Sequence, residues 1–450
     1  MINKYRLPLV FLISSVLLTL YYLWISTGTM GGGDSYVHFL ISKYSWKHFN
    51  LFFDHWGKPV FTILSSPFSQ NGLFFLKLFN VFCGILSALF VYLSAKKLFP
   101  QTGGFSAFGL LLIPYFSALH ISGLTEPLFT LFLTSVVYLV LMRRNGIAAI
   151  VLVLLPFIRT EGILFLPLLL LLWSVQKQWK PIGIVLLVGI FVNILGAFFH
   201  EGDFFWFITK MPYSVVSNYE SGSFFHFLQK SDMIFGLPVL IFSLLGWGIG
   251  LFKREYNTWE KKLVLIIFPA VYFLFHSLLF GLGAGASAGL TRVMIVIAPI
   301  LALNTEYALN YFSKWLPDRI RLMPFIVFIV WVSIQFATSS RQPVEPTQQQ
   351  LTLDASLDYL EQNLTYEKVY YYHPYVPVKL NYDPFSGEYC KERLPQENEL
   401  QIGDLLIWDN HFSPQEGALQ LGEIKTDNHW EEMAHFGDED DFAVYLFQRR

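Results

Sequence analysis

Seven polar or charged side chains interrupt apolar sequence at places where chemistry could be done. Asp34 follows a glycine run in TMGGGDSYVHF, with His38 four residues on. Lys58 ends the stretch DHWGK, and Glu126 opens an apolar run in SGLTEPLF. Arg159 and Glu161 form an RTEG turn within LPFIRTEGILFLP, and Arg292 begins AGLTRVMIVIAP. A carboxylate within about 3 Å of a hydroxyl takes its proton and turns it into a nucleophile. Fixed guanidinium and ammonium groups stabilise negative charge as it develops on a departing group. Each residue also has a plainer reading. Glu126 suits the positive end of a helix dipole, and acids or bases at the ends of membrane helices serve as anchors. His120 and His276 read as packed or interfacial histidines, and Lys43, Lys47 and Lys230 as lysines that snorkel to the membrane surface. Asp34 and Arg159 depart furthest from these readings. The glycines before Asp34 free the backbone, and Arg159 falls where a pair of short spans should be hydrocarbon.

The elements that must position these residues are membrane helices. Of the 450 residues 54% are hydrophobic and only 14% charged, with a mean hydropathy of +0.46, against about 25% charged in a soluble domain. Apolar runs near the roughly 20 residues that span a bilayer recur from residue 7 to residue 340. They predict about eleven spans at 7–27, 78–95, 103–120, 127–142, a pair within 147–175, 181–199, 233–252, 263–281, 292–310 and 323–340. The first apolar run is followed by no small-x-small cleavage site and is read as an uncleaved span. Six short segments (NKYR, AKK, MRRN, QKQWK, FKREYNTWEKK and SKWLPDRIR) carry 15 Lys/Arg, whereas the longer segments between them, including 28–77 and 200–232, carry 8. Basic loops face the cytoplasm, so the N-terminus is expected there and the seven candidate residues on the outer side. MRRN and QKQWK lie too close for two full spans, so two short helices are expected to meet at the RTEG turn, below the outer surface. Residues 35–55 mix aromatics with Lys and His at helical spacing and predict a helix lying in the outer interface.

Residues 341–450 differ in kind. They hold 8 Lys/Arg and 21 Asp/Glu, a net charge of −13, whereas residues 1–340 hold 23 and 12, a net of +11. This asymmetry predicts two domains, a multi-span unit over 1–340 and a soluble acidic domain over 341–450 outside the cytoplasm. A helix at 350–363 and strands at KVYYYH, DLLIWD and DFAVYLFQ predict a small α/β fold. The acidic tail argues against nucleic acid as a partner. Cys83 and Cys390 fit no metal spacing.

Taken in order and on one side of the membrane, these motifs resemble the GT-C superfamily of integral-membrane glycosyltransferases. The resemblance rests on GGGDSYVH after the first span, helices in the first outer loop, TEPLF, the LPFIRTEGILFLP turn, AGLTRVMIVIAP and a water-soluble C-terminal domain. RTEG is similar to the corresponding turn of mannosyltransferase-like members. The resemblance implies an all-α polytopic membrane protein of the inner (plasma) membrane with a small extracytoplasmic α/β domain. It implies an inverting transfer of a hexose, mannose first among them, from a polyprenyl-phosphate donor to a glycan, lipid or protein acceptor. Carried over, Asp34 is the general base and Glu126 a second acid that assists the acceptor. Arg292, Lys58 and Arg159 hold the donor phosphate, with His38 and Glu161 beside the substrate. Where the superfamily often has an adjacent Asp-Glu pair, this chain has Asp34-Ser35 and so one acid; no cofactor is expected, and a divalent metal is left open but without support. Two other classes share some features. A transporter or flippase of lipid-linked sugars would show repeats with broken helices in both halves, whereas only 147–175 is interrupted here. A glycan polymerase or ligase shares the large outer loops and need not depend on Asp34.

Overall fold

The computed structural model describes residues 7–100, 103–212, 221–253, 256–285, 288–339 and 341–450. The basic segment expected at 3–6, part of the basic loop at 254–255, the middle of the glycine-rich loop at 286–287 and a stretch of the long outer segment at 213–220 lie outside these.

The described residues between 7 and 337 form a helical bundle. Among the described residues five helices are long and apolar enough to cross a membrane: Leu7–Ile25, Leu73–Leu98, Trp179–Phe199, Trp259–Leu282 and Thr291–Lys314. Five shorter apolar helices accompany them at Glu126–Leu141, Asn145–Phe157, Thr160–Val175, Leu237–Phe252 and Met323–Ala337. The two short helices expected around RTEG are present and meet at Arg159. Thr291–Lys314 lies at the centre, its apolar window wholly buried, with Leu237–Phe252 packed along it. Trp179–Phe199 is the opposite case, with 11% of its window buried. A helix apolar on all sides and so little covered by protein is suited to a lipid surrounding.

Two expectations change. The span expected at 103–120 is two short helices, Phe105–Leu111 and Pro114–Leu119. Pro114 has no N–H to continue the ladder and holds Ile113 in an extended conformation, which ends the first helix. The interfacial helix expected over 35–55 stops at Tyr44, and a tight turn follows at Phe49–Phe53. Nor does it lie free on a surface. Phe39 and Leu40 belong to the core of the bundle, whereas Tyr36 belongs to the core of the C-terminal domain. The Gly32–Tyr44 helix is therefore held between the two, with the Pro59–Ser69 helix beside it through a Ser42–Ser65 hydroxyl contact of 2.8 Å.

The C-terminal domain is a five-stranded mixed sheet: β1 Val369–Tyr371, β2 Cys390–Glu392, β3 Leu405–Asp409, β4 Trp430–Gly437 and β5 Ala443–Arg449. The strand order is β2-β1-β3-β5-β4, with β1 parallel to β2 and β3, and β5 antiparallel to β3 and β4. Strand alternation sends Leu405, Ile407, Val444 and Leu446 to one face. There they meet Leu353, Leu357 and Leu360 of the Gln348–Asn363 helix. The other face carries Leu406, Trp408, Tyr445 and Phe447. The chain enters this domain bound to the end of the first helix: Gly28 N donates to Val344 O at 2.9 Å, and Val344 N to Ser26 Oγ at 2.9 Å. On the far side Lys47 and His48 both meet Asp383, at 2.8 and 3.0 Å.

Candidate active site

The carboxylate of Asp34 is delivered by a hinge. After the first helix ends, Lys77 Nζ donates to Gly28 O at 2.9 Å and Met30 N to Ile121 O at 3.0 Å, which pins the extended backbone. Gly31 then turns with φ 101°, and a Cβ there would lie 2.5 Å from the Leu124 side chain. Only glycine tolerates both that dihedral and that approach. The Gly32–Tyr44 helix follows at once, with Asp34 in its first turn. From above, the ring of Phe412 in the C-terminal domain comes within 2.7 Å of where a Gly33 Cβ would stand. Phe412 is itself held by Asp409, which accepts from the N–H groups of His411 and Phe412 at 3.0 and 2.6 Å.

From Asp34 a line of alternating charges runs into the bundle. Arg292, at the tight start of the central helix, pairs with Asp34, and its Nη1 lies 3.4 Å from Gly31 O. The Nε of Arg292 is 3.2 Å from Glu126 Oε1, and the same oxygen is 2.9 Å from Arg159 Nη1. Arg159 also donates to Thr125 Oγ1 at 3.1 Å and to Glu161 Oε1 at 2.8 Å. Beyond Glu161 stands His276, its Nε2 3.9 Å away. Glu126 is 1% exposed, yet it is flanked by two guanidinium groups and opens the Glu126–Leu141 helix, so its charge is matched where it is buried.

Lys58 joins this line from the side. It sits at the start of the Pro59–Ser69 helix in a left-handed conformation, φ 63°, which costs a non-glycine residue of order 1–3 kcal/mol. Its Nζ reaches Thr160 Oγ1 at 3.2 Å and His55 Nδ1 at 3.4 Å, while His55 Nε2 meets Phe207 O at 2.9 Å. Burial pulls the Lys58 ammonium down to about 8. Burial likewise lowers His38 to about 4, so its ring is neutral at pH 7.

The polar atoms of this cluster are under-used. Both carboxylate oxygens of Glu126, Nε of Arg159 and of Arg292, Nδ1 of His38 and Nε2 of His276 are buried without a hydrogen-bond partner among the described residues. The ion pairs are close in distance but leave donors and acceptors unaligned. Buried polar groups in folded proteins are nearly always satisfied, so these atoms are open to partners that the chain's own side chains do not supply. Among the described residues no three His, Cys, Asp or Glu side chains are grouped as a metal site, and the cluster's carboxylates are taken up by arginines.

No family model matches the chain, and no curated protein matches it. Among solved structures it is similar to ArnT from Cupriavidus metallidurans bound to undecaprenyl phosphate, with 14% identity, a TM-score of 0.67 and 97% of each chain covered. It is also similar to the archaeal oligosaccharyltransferase AglB from Archaeoglobus fulgidus in complex with an inhibitory peptide and a dolichol-phosphate. That match has 12% identity, a TM-score of 0.55 and covers 84% of this chain but 64% of AglB. The chain has the GT-C fold.

Within the GT-C fold, five of the seven residues singled out in the sequence (Asp34, Glu126, Arg159, Glu161 and Arg292) form one connected line. Lys58 touches it through Thr160. His38 lies close enough to feel Asp34, Glu126, Arg159 and Lys58, yet bonds to none of them; its ring packs edge-on against Phe61. His276, read from sequence as a packed histidine, stands at the inner end of the line. Tyr115, whose hydroxyl meets Thr291 Oγ1 at 3.0 Å and whose ring lies under the Arg341 guanidinium, had no signal in the sequence beyond its aromatic type. The same holds for Phe412.

Proposed function

We propose that the chain is a membrane glycosyltransferase that moves a hexose from a polyprenyl-phosphate donor to a hydroxyl acceptor on the outer face. In this reading it belongs to the inner membrane, with the N-terminus in the cytoplasm and residues 341–450 outside. The observation that carries the proposal is the buried, hydrogen-bond-poor line of alternating charges that begins at Asp34. The GT-C fold supports it, because two proteins of that fold were solved with undecaprenyl phosphate and dolichol-phosphate bound. Mannose is the hexose we assign, on the likeness of the RTEG turn.

In the proposed reaction the donor phosphate is held by Arg292 and Lys58, with Arg159 behind them. Arg292 turns from Asp34 to the phosphate, which leaves the carboxylate free. Asp34 accepts the acceptor's hydroxyl proton as the acceptor oxygen bonds to the sugar's anomeric carbon. The bond from that carbon to the phosphate oxygen breaks, and polyprenyl phosphate departs with the electron pair. One displacement of this kind inverts the anomeric centre. The leaving phosphate gains charge in the transition state, where preorganised cations act most strongly. Glu126 keeps the two guanidiniums apart and in place and orients the acceptor. No step is assigned to a metal.

The test is transfer in proteoliposomes from radiolabelled polyprenyl-phosphate mannose to a membrane extract, with wild type beside Asp34→Asn. Loss of transfer in a folded variant supports the base assignment, and unchanged transfer overturns it. Label that crosses the bilayer without bond formation would replace the enzyme by a transporter.

A further inference from the structure

A polar cavity of about 680 Å³ lies at the end of the bundle away from the Asp34 cluster. The Glu126–Leu141 helix runs from the Asp34 cluster toward it, and its sixteen residues at 1.5 Å each separate the two by about 24 Å. The floor is a relay of side chains that ties three loops together. Asn145 Nδ2 donates to Gln178 Oε1 at 2.5 Å, Gln178 Nε2 to Gln176 Oε1 at 2.8 Å, and Gln176 Nε2 to Glu260 Oε1 at 2.8 Å.

Around this floor stand three cations, Arg143, Lys177 and Lys180. Among the described residues none of them has a carboxylate within ion-pair distance. Glu260 is the one acid lining the cavity, and it feels the charge of Arg143. The helices Asn145–Leu154 and Trp179–Phe199 both start at the cavity wall, and neither start is capped by a side chain. Their first N–H groups are left open as donors, while the helices Glu126–Leu141 and Phe165–Val175 end at the same wall, so the opposed dipole ends offset and the positive excess rests on the three cations. The cavity thus has an excess of positive charge, fixed donors, and a rigid floor.

We propose that this cavity binds the phosphodiester headgroup of an anionic phospholipid, in the leaflet opposite the Asp34 site. Lipid is favoured over a dissolved anion by what surrounds the cavity. Trp179 is 65% exposed at its edge, the usual place of an interfacial aromatic. The Trp179–Phe199 helix that rises from it packs on the Asn145–Leu154 helix with one side and leaves Leu187, Phe191, Ile194 and Phe198 exposed on the other, so acyl chains would run along that exposed face while the headgroup enters the cavity. Basic pockets between helices on the cytoplasmic side are suited to such headgroups, and the basic loops here are those expected to face the cytoplasm. The assignment does not depend on the sugar-transfer reading.

The experiment uses the full chain in zwitterionic detergent. Native mass spectrometry and thermal unfolding are followed with phosphatidylglycerol, cardiolipin, phosphatidylcholine and inorganic phosphate. The expected result is retention of the anionic lipids and protection by them, with neither from phosphatidylcholine. At about 1 kcal/mol for each basic residue near a headgroup, the triple variant Arg143→Gln/Lys177→Gln/Lys180→Gln should bind on the order of 100-fold more weakly. A matched control at another basic loop, Lys314→Gln/Arg319→Gln/Arg321→Gln, should bind as wild type. If the triple variant does not fold, Lys177→Gln alone should show a roughly fivefold loss. Anionic lipid bound equally by the triple variant, or lost equally by the control, would overturn the proposal. So would equal protection by inorganic phosphate, which would make this a site for a small dissolved anion.

Discussion

Replacing Asp34 by Asn should change activity and donor affinity in opposite directions. The proposed base is lost, which costs on the order of a hundred- to ten-thousand-fold in transfer rate. At the same time Arg292 loses the carboxylate that competes with the donor phosphate for its guanidinium. A hydrogen bond to a charged group contributes roughly 1.5–3 kcal/mol when shielded. Here the Asp34 side chain is 36% exposed and that of Arg292 is 16% exposed, so solvent screening reduces the figure to about 1 kcal/mol. That is a factor of about five in a dissociation constant. Asp34→Asn should therefore bind undecaprenyl phosphate about fivefold more tightly than wild type while transferring almost no sugar.

The assay is equilibrium binding of undecaprenyl phosphate, by calorimetry or tryptophan fluorescence in detergent, beside the proteoliposome transfer assay. The advantage of the variant should shrink as salt is raised, because the pair it removes is partly exposed. A purely structural role for Asp34 predicts weaker binding and slower transfer together, through damage to the hinge. Weaker binding by Asp34→Asn would thus refute the exchange of Arg292 between carboxylate and phosphate, even with activity abolished.

Three further outcomes follow from the same geometry. Glu126→Gln leaves two buried guanidiniums facing each other across a neutral group. Unfolding in detergent should show a loss of roughly 3 kcal/mol or more, partly recovered in Glu126→Gln/Arg159→Gln; an unchanged midpoint would mean that the pairs are not formed. Lys58 carries its charge fully only below about 8, so affinity for undecaprenyl phosphate should fall as pH rises through that value, and Lys58→Arg should remove the dependence. Stability runs the other way: between about 8 and 10.5 the unfolded chain holds more protons at this lysine, so its contribution to stability rises with pH. Finally, Gly33→Ala drives a methyl group into the Phe412 ring and should lower the transfer rate. Adding Phe412→Ala should restore part of it, and an additive double variant would show that the two residues do not touch.

Much of the helical framework was legible because hydropathy and loop charge are local properties. The two short helices around Arg159 follow from spacing alone, since thirty residues between two basic loops leave no room for two full spans. Pro114 was visible too, yet an apolar run on both sides of it read as one span. In the tail, β1, β3 and β5 lie centrally in the sheet and are rich in Val, Leu, Ile and aromatics, which is why their pattern stood out. β4 is an edge strand reading WEEMAHFG with two exposed acids, Glu431 and Glu432, and β2 has three residues; neither carries a burial pattern to detect. Candidate site residues stood out as charges in the wrong surroundings, but which of them pair with which did not, because Asp34 and Arg292 are 258 positions apart. His276 was hidden for the same reason, being one histidine in an apolar helix until Glu161 is placed beside it.

The largest loss of information concerns the helix that carries Asp34. Its composition fits a surface helix, and nothing within residues 35–55 says that Tyr36 belongs to the core of a domain more than three hundred residues later. The consequence is mechanistic. Asp34 is positioned from below by Gly31 against Leu124 and from above by Gly33 against Phe412, so the C-terminal domain is part of what aims the carboxylate. The glycine run therefore has two separate causes. Gly31 is needed for a backbone turn and Gly33 for a close approach between domains, and substitution at either should move the same carboxylate by a different route.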